Sequence, residues 1–502
     1  MIRVEKIDEV YLRVTSEPDV ERELEEFFKL EIPGAKYSPK FKIGIWDGVA
    51  RLYSISKKTL YVGLFSYLQY FAKTNEYELE IVNEIQENTN ITREETNEFI
   101  QNLNCHSNGK PIAVRDYQLE SVYQALKRKR IIVESPTASG KSLNIYAIIR
   151  YLVDEGKRIL VLTPRANLVE QLFQDCIEYS SENGWDVEAN CARHYSGMSK
   201  TFDKPVTIST WQGLYKNTKQ WFVNQKYNVC LVDEVHTAQA TSLRGILEKL
   251  PTTSWRMGFS GTVATAKVNR LILEGLFSSV YTATTTKKLM DDKQISNLKI
   301  KSIILDYNEE IKKQCTRLEY QKEMDFLITN QKRNKFILNL SRATVGNTLI
   351  LSQYVEKHIN PLYEYLKNHP GDKKIFYITG SVSVETREDI RHAMEVEKNA
   401  ILIASYGTLS TGTNIKNIHN IIFGSPSKSE IRVLQSIGRG LRLMDGKSQC
   451  TLFDITDNLC YKSYKNHTFR HGSERVKLYM QQGFSVKVSK FDLYNLKTEQ
   501  QI

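Results

Sequence analysis

No stretch of this 502-residue chain approaches the roughly 18 consecutive apolar residues of a membrane-spanning helix. The N-terminus, with Glu5, Asp8 and Glu9, has no apolar signal core. The chain therefore reads as cytoplasmic. Its seven cysteines, Cys105, Cys176, Cys191, Cys230, Cys315, Cys450 and Cys460, are scattered without a C-x-x-C pair, which argues against a zinc module and against a disulfide framework. They are expected as buried thiols. What is present is a hydrophobic fraction of 41% beside 25% charged residues, ordinary for a globular chain. The length suggests about three domains. A net charge of +11 and a pI near 9.0 favour a polyanionic partner without saying which one.

The most informative stretch is Ile131-Ile132-Val133-Glu134-Ser135-Pro136-Thr137-Ala138-Ser139-Gly140-Lys141-Ser142, followed by the apolar-rich run 143–149. A short apolar strand, a Pro/Ser/Gly loop, then Lys-Ser and a helical pattern present backbone N–H groups to phosphate. Gly140 lets the backbone approach closely, Lys141 places a charge on β/γ oxygens, and the Ser142 hydroxyl suits Mg²⁺. Ser135 stands where the general motif has its first glycine, and Ala138 adds a methyl to the loop.

Residues 1–28 alternate charges and then bring Glu21, Glu23, Glu25 and Glu26 with Leu24, Phe27 and Phe28 at helical spacing, which predicts a surface helix. The charge then inverts. Phe41, Ile43 and Ile45 alternate with Lys42, Gly44 and Trp46, and Asp47-Gly48 precedes 49–55, so a hairpin is expected. Its lysines with Tyr37, Trp46 and Tyr53 could lie along a phosphate backbone, or the aromatics could be core. Residues 104–111 read as a linker. The basic cluster Lys127-Arg128-Lys129-Arg130 reads as the favourable C-terminal end of a helix.

Strand-length apolar runs recur at 158–163, 206–210, 229–233 and 257–260, and again at 348–352, 374–379, 401–405, 421–424 and 451–455. Near-continuous apolar strands separated by helical patterns imply parallel sheets covered on both faces, here two doubly wound lobes. Between them, 284–347 is charged and partly extended at 298–305. The basic tail is helical at 473–482 and alternating at 484–488. At the end of 229–233, Asp233-Glu234-Val235-His236 delivers two carboxylates and a histidine where ligands of a parallel sheet sit. Asp233 is suited to hold Mg²⁺ and Glu234 to orient or deprotonate a water attacking a γ-phosphate. Arg439 and Arg442, three apart in Gln435-Ser436-Ile437-Gly438-Arg439-Gly440-Leu441-Arg442, could stabilise transition-state charge.

The whole set resembles the superfamily 2 helicases and translocases. Residues 115–118 look like the adenine-reading segment, 135–142 motif I, Thr163-Pro164-Arg165 motif Ia, Ser209-Thr210-Trp211-Gln212 motif Ib, and 233–236 motif II in a DExH form. Ser260-Gly261-Thr262 is similar to motif III, 405–417 with Thr411-Gly412-Thr413 to motif V, and 435–442 to motif VI. The resemblance implies that Gln118 reads adenine, that Ser139, Gly140, Lys141, Ser142 and Gln435 bind ATP, and that Ser142 and Asp233 hold Mg²⁺. It implies catalytic roles for Glu234, Asp233, Lys141, Arg439 and Arg442, coupling by His236, Ser260 and Thr262, and strand contacts by Arg165, Thr210 and Thr411. The segment Tyr37-Ser38-Pro39-Lys40-Phe41-Lys42-Ile43-Gly44-Ile45-Trp46-Asp47-Gly48 looks like the N-terminal domain of the phage UvsW family of recombination helicases, and Thr285-Thr286-Lys287-Lys288-Leu289-Met290 like its inter-lobe segment.

The expected fold is therefore α/β, with two RecA-like parallel-sheet lobes and a small α+β N-terminal domain. The expected domains are 1–105 (DNA binding, through Lys40, Lys42 and Arg51), 106–284 (ATP-binding lobe 1), 285–460 (lobe 2) and 461–502 (a basic extension). The expected function is that of an ATP- and Mg²⁺-dependent, single-chain DNA helicase acting on branched DNA, in the host cytoplasm if the source is a phage. An RNA helicase or duplex-translocating remodeller on the same motor, and a non-hydrolysing scaffold, are the alternatives. Intact Lys141, Asp233, Glu234, Arg439 and Arg442 argue against the scaffold. The motor motifs do not separate RNA from DNA, and the N-terminal resemblance favours DNA.

Overall fold

The computed structural model describes residues 1–85, 87–196, 202–236, 241–263, 267–409, 415, 417–426, 438 and 449–494. The chain forms two compact units, one built from Met1–Ser135 and Ser139–Thr284, the other from Pro136–Ala138 and Thr285–Ile502. Among the described residues no helix is long and apolar enough to cross a membrane. The cysteines are free, all buried except the half-buried Cys460.

The first unit begins with β1 (Ile2–Lys6), β2 (Tyr11–Thr15), β3 (Lys29–Glu31), β4 (Val49–Arg51), β5 (Thr59–Tyr61) and β6 (Leu79–Ile81). Four of these form a sheet in the order β5-β2-β1-β6. The surface helix expected over 1–28 is confined to Pro18–Phe27. Residues 2–15 are instead strands, because Ile2, Val4, Leu12 and Val14 recur with a period of two and are fully buried, while the charges between them face water. The hairpin expected at 41–55 is also absent. Pro39 opens a short helix, Pro39–Lys42, after Ser38, as a fixed φ at the first helical position favours. Gly44 and Gly48 then turn the chain at φ +74 and +80, and β4 pairs antiparallel with β3, Lys29 opposite Arg51. Ile43 and Ile45 are exposed, so their alternation marks no buried face.

The helix Arg93–Asn102 is capped by reciprocal Thr92 and Glu95 bonds. A two-residue-per-strand hairpin, β7 (His106–Ser107) and β8 (Lys110–Pro111), leads to the helix Asp116–Arg128. Then follow β9 (Arg130–Glu134), β10 (Ile159–Thr163), β11 (Cys191–His194), β12 (Val206–Thr210), β13 (Val229–Asp233), β14 (Trp255–Ser260) and β15 (Val280–Thr282). They make one sheet in the order β11-β12-β10-β13-β14-β9-β15, parallel throughout. Ile131, Ile132, Val133, Leu160, Val161, Leu231 and Val232 are fully buried, as strands sandwiched between helices must be. The N-terminal sheet shares one apolar core with a face of this sheet: Ile2, Leu12, Tyr61 and Leu68 cluster with Ile132, Leu160, Cys230 and Leu273. The buried Arg130 donates to the Glu9 carbonyl at 2.9 Å, and Arg244 donates to the Tyr61 hydroxyl at 2.6 Å.

The second unit contains β16 (Asn297–Asp306), β17 (Thr348–Ser352), β18 (Lys374–Ile378), β19 (Ala400–Ser405), β20 (Asn420–Phe423), β21 (Gln449–Asn458) and β22 (Val486–Asp492), in the order β18-β19-β17-β20-β21-β16-β22. It is also parallel throughout. The tail is built into this sheet. The helix His467–Gln481 sends Arg475 onto Asp454 at 2.7 Å, and β22 pairs with β16.

Candidate nucleotide and nucleic-acid site

In a parallel sheet every strand delivers its C-terminal residue to the same edge. In the first unit that edge collects Glu134, Thr163, Thr210, Asp233 and Ser260. The phosphate-loop candidate leaves β9 here. Gly140 takes φ +85 and caps the helix Lys141–Asp154, and a Cβ on it would lie 2.1 Å from the Gln118 side-chain nitrogen, so a larger residue would be strained in its backbone and would displace the Gln118 amide. The Ser135 hydroxyl, fully buried, donates to the Ser139 hydroxyl at 2.5 Å, and Ser135 does not have a positive φ. A side chain is therefore accommodated where the general motif has glycine. Ala138 does take φ +68, a conformation costing a side-chain-bearing residue about 1 kcal/mol.

The loop is braced from behind. The Ser139 carbonyl accepts bonds from the Tyr117 hydroxyl at 3.0 Å and the Gln118 amide at 2.8 Å, and the Gln118 carbonyl oxygen accepts the Arg115 N–H at 2.9 Å. Gln118, expected to read a base, is here a support of the phosphate loop. The Lys141 ammonium donates to the Ser135 carbonyl at 3.1 Å, and the Ser142 hydroxyl shares a bond with the Tyr179 hydroxyl at 3.0 Å.

The acid pair lies on β13 and just beyond. Glu234 takes φ +53, and its N–H donates to the Asp233 carboxylate at 2.9 Å. Withdrawal from water pushes the Asp233 carboxyl up to about 7; Glu234 adds to this, while Lys141 and His236 oppose it. Such a carboxyl ionises readily once a cation joins it. His236, Ser260 and Thr262 form a hydrogen-bonded chain. His236 Nδ1 lies 2.8 Å from Ser260 Oγ and 3.2 Å from the Glu234 carboxylate, and Ser260 Oγ donates to the Thr262 carbonyl at 2.7 Å.

Glu134 was missed from the sequence. Its carboxylate accepts the Val263 N–H at 3.0 Å and the Thr282 hydroxyl at 2.9 Å, tying the loop after β14 and the exit strand β15 to the residue before the phosphate loop. An acid ending an otherwise apolar strand was the available signal.

Register places Thr163 beside Thr210 at the ends of β10 and β12. Exposed Arg165 precedes the helix Ala166–Tyr179 at this corner, and Thr210 precedes the helix Trp211–Leu214. Lys40, Lys42 and Arg51 belong to the separate projecting segment between β3 and β4. Lys40 and Lys42 are exposed, but Arg51 is engaged by Asp47 at 2.5 Å and by Glu25 at 3.8 Å. Tyr53 is core, its hydroxyl on the Val14 carbonyl at 3.0 Å. Thr411, Gln435, Arg439 and Arg442 lie outside the described residues.

Three family models match the chain: "DNA helicase UvsW, N-terminal" over residues 1–82, "Type III restriction enzyme, res subunit" over 111–265, and "Helicase conserved C-terminal domain" over 331–444. The ATP-dependent DNA helicase uvsW of Enterobacteria phage T4 is 31% identical over 96% of this chain and 98% of its own length. The crystal structure of T4 UvsW aligns with a TM-score of 0.52 at 28% identity, covering 98% of this chain and 99% of that one. Saccharomyces cerevisiae Dbp5 bound to RNA and ADP BeF3 aligns with a TM-score of 0.50 at 13% identity over 77% of this chain, a likeness of fold alone. A phosphate-loop candidate, an acid pair and the hydrogen-bonded chain of His236, Ser260 and Thr262 at one end of the sheet accompany full-length similarity, and the chain belongs to the UvsW family of ATP-dependent superfamily 2 DNA helicases.

Proposed function

We propose that this helicase acts on branched DNA, at forks, Holliday junctions and R-loops, in recombination, repair and replication, as a single-chain motor in the cytoplasm of a phage host. The observation that carries the reading is that exposed Lys40 and Lys42 lie in the segment joining β3 to β4, within an N-terminal region whose core is continuous with that of the nucleotide-binding sheet. A surface fixed to the motor in this way can hold one arm of a branch while the sheet edge works on a strand. Recognition is assigned to 1–105, ATP binding to 106–284, the second lobe to 285–460 and a basic extension to 461–502.

At the nucleotide, Lys141 exchanges the Ser135 carbonyl for phosphate oxygens, Gln118 contributes to base recognition beyond its support of the loop, and Glu234 takes the proton of the attacking water. Asp233 and Ser142 are hard oxygen donors of the kind Mg²⁺ takes. Among the described residues no cluster of three His, Cys, Asp or Glu could hold a metal alone, so these two would hold Mg²⁺ jointly with the phosphates, where it neutralises developing charge. Gln435 binds nucleotide, and Arg439 and Arg442 stabilise the transition state. Arg165, Thr210 and Thr411 contact strand phosphates, largely without regard to sequence. His236, Ser260 and Thr262 transmit the state of Glu234 to the loop after β14.

The test is ATP turnover and unwinding compared across single-stranded DNA, duplex, forks, Holliday junctions and RNA. Forks and junctions are expected to be preferred for unwinding. Equal or better activity on RNA would overturn the assignment.

A further inference from the structure

Four large apolar side chains in the segment from Tyr37 to Ile45 stand open to water: Tyr37 is 72% exposed, Phe41 39%, Ile43 67% and Ile45 75%. Between Glu31 and Asp47 the chain carries Lys36, Lys40 and Lys42 and no acid, and Asp47 itself is taken by Arg51. The segment is built to hold this shape. The Lys40 carbonyl accepts the N–H groups of Ile45 at 3.0 Å and Trp46 at 3.2 Å, the Pro39 carbonyl accepts that of Ile43 at 3.1 Å, and the Trp46 indole donates to the Val49 carbonyl at 3.0 Å. At the tip, a Cβ on Gly44 would meet nothing within 4 Å. The fold thus spends backbone bonds on keeping two isoleucines in solvent, forgoing about 1.5–3 kcal/mol of burial for each.

A surface that only grips phosphates needs the lysines and not the isoleucines. Cations bracketing a rigid apolar tip match a polyanion that also offers an apolar face, and base pairs offer one where stacking is interrupted. We propose that Ile43 and Ile45 form a wedge that packs against the base pair at a DNA branch point, while Lys40 and Lys42 hold the flanking phosphates. The inference rests on the branched-DNA reading and adds the chemical role of the tip.

The experiment uses the full chain and a fork carrying 2-aminopurine at the junction base pair, with no ATP. Wild type is expected to raise the fluorescence on binding. The double variant Ile43→Ala/Ile45→Ala loses most of that rise and slows fork unwinding by about tenfold, keeping its thermal midpoint and the salt dependence of fork binding; Ile43→Leu/Ile45→Leu restores the signal. Lys40→Ala/Lys42→Ala instead flattens the salt slope by about two units. If wild type binds forks preferentially but the isoleucine variant keeps its fluorescence rise and unwinding rate, the wedge is wrong and the branched-DNA reading survives. If wild type shows no fork preference, that reading fails and the wedge with it. Ile43- and Ile45-dependent sedimentation with phosphatidylglycerol vesicles, beside an unchanged fork signal, would make the tip a lipid contact and overturn the proposal.

Discussion

Numbered from its own first strand, each of the two seven-stranded sheets runs 3-4-2-5-6-1-7, yet the two treat acids differently. In the first unit the fifth strand, β13, ends on Asp233, beside another carboxylate and with its carboxyl pushed up by withdrawal from water. In the second unit the sixth strand, β21, carries Asp454 and Asp457, and each meets a buried guanidinium of the same unit, Arg475 at 2.7 Å and Arg333 at 2.9 Å. Burial would pull Arg475 down, but Asp454 more than compensates and holds it above its ordinary value. One sheet sets an acid beside another acid; the other pairs its acids with guanidiniums. The same topology therefore carries an acid pair in one unit and, among the described residues, internal ion pairs in the other.

Removing the proposed catalytic residues gives the largest effect. Arg439→Ala or Arg442→Ala is expected to lower ATP turnover by about a thousandfold with modestly weaker nucleotide binding. Lys141→Ala or Glu234→Gln should lower it by at least about a hundredfold, with Glu234→Gln still binding ATP and DNA. Steady-state ATPase beside nucleotide and DNA titrations reads both, and wild-type turnover in the latter two variants would remove the site assignment.

Breaking the neutralised edge is an experiment in stability. Arg475→Met alone leaves Asp454 buried without its partner and should cost about 3–5 kcal/mol, whereas Arg475→Met with Asp454→Leu should lie much nearer wild type. Denaturant titration separates the two outcomes, and equal losses would mean that packing, not charge, sets the cost. Removing an acid from the first sheet should have the opposite sign. A carboxyl whose folded pKa is raised to about 7 costs stability at every pH above that value, so Asp233→Asn should stabilise the protein by about 1–2 kcal/mol at pH 8 without Mg²⁺ or ATP. A lower melting temperature for that variant would contradict the comparison.

A pH-dependent effect concerns His358, fully buried between Ser352 Oγ at 2.8 Å and the Asn334 side-chain oxygen at 3.0 Å. Burial first, and then the nearby Arg333, hold its pKa down to about 3. The unfolded chain takes up this proton below pH 6.5 and the folded chain does not, so stability is lost as pH falls through that window, by up to about 1.4 kcal/mol per pH unit. His358→Gln should flatten the loss between pH 6.5 and 4, measured by denaturant midpoints across that range.

Much of this was legible from local pattern. Strands such as 229–232 and 401–404 announce themselves because a parallel strand covered on both faces must be apolar along its length. The order of phosphate loop and acid pair then orients the first sheet. Pairings between distant residues were not legible. Nothing near Lys29 says that it faces Arg51, and the alternation at 41–45 matched a strand while Pro39 and two glycines were building a knuckle. Arg333 meets Asp457 across 124 positions, and the tail, whose alternation was visible, gave no sign that its partner was β16. Glu134 is similar: its residue type is readable, its partners Val263 and Thr282 are not.

The core shared by the N-terminal sheet and the nucleotide-binding sheet bears on what can be exchanged between proteins. A module joined by a tether can be moved to another enzyme or deleted with its host left intact. Here Glu9 is an acceptor for Arg130, and Tyr61 is an acceptor for Arg244, so excision would strip an apolar face from the motor and remove one partner from each of two guanidiniums, which would keep the Leu276 carbonyl and Glu248. Substrate preference in this lineage is therefore expected to drift by substitutions at the projecting tip, one side chain at a time, while the sheet beneath it is inherited with the engine.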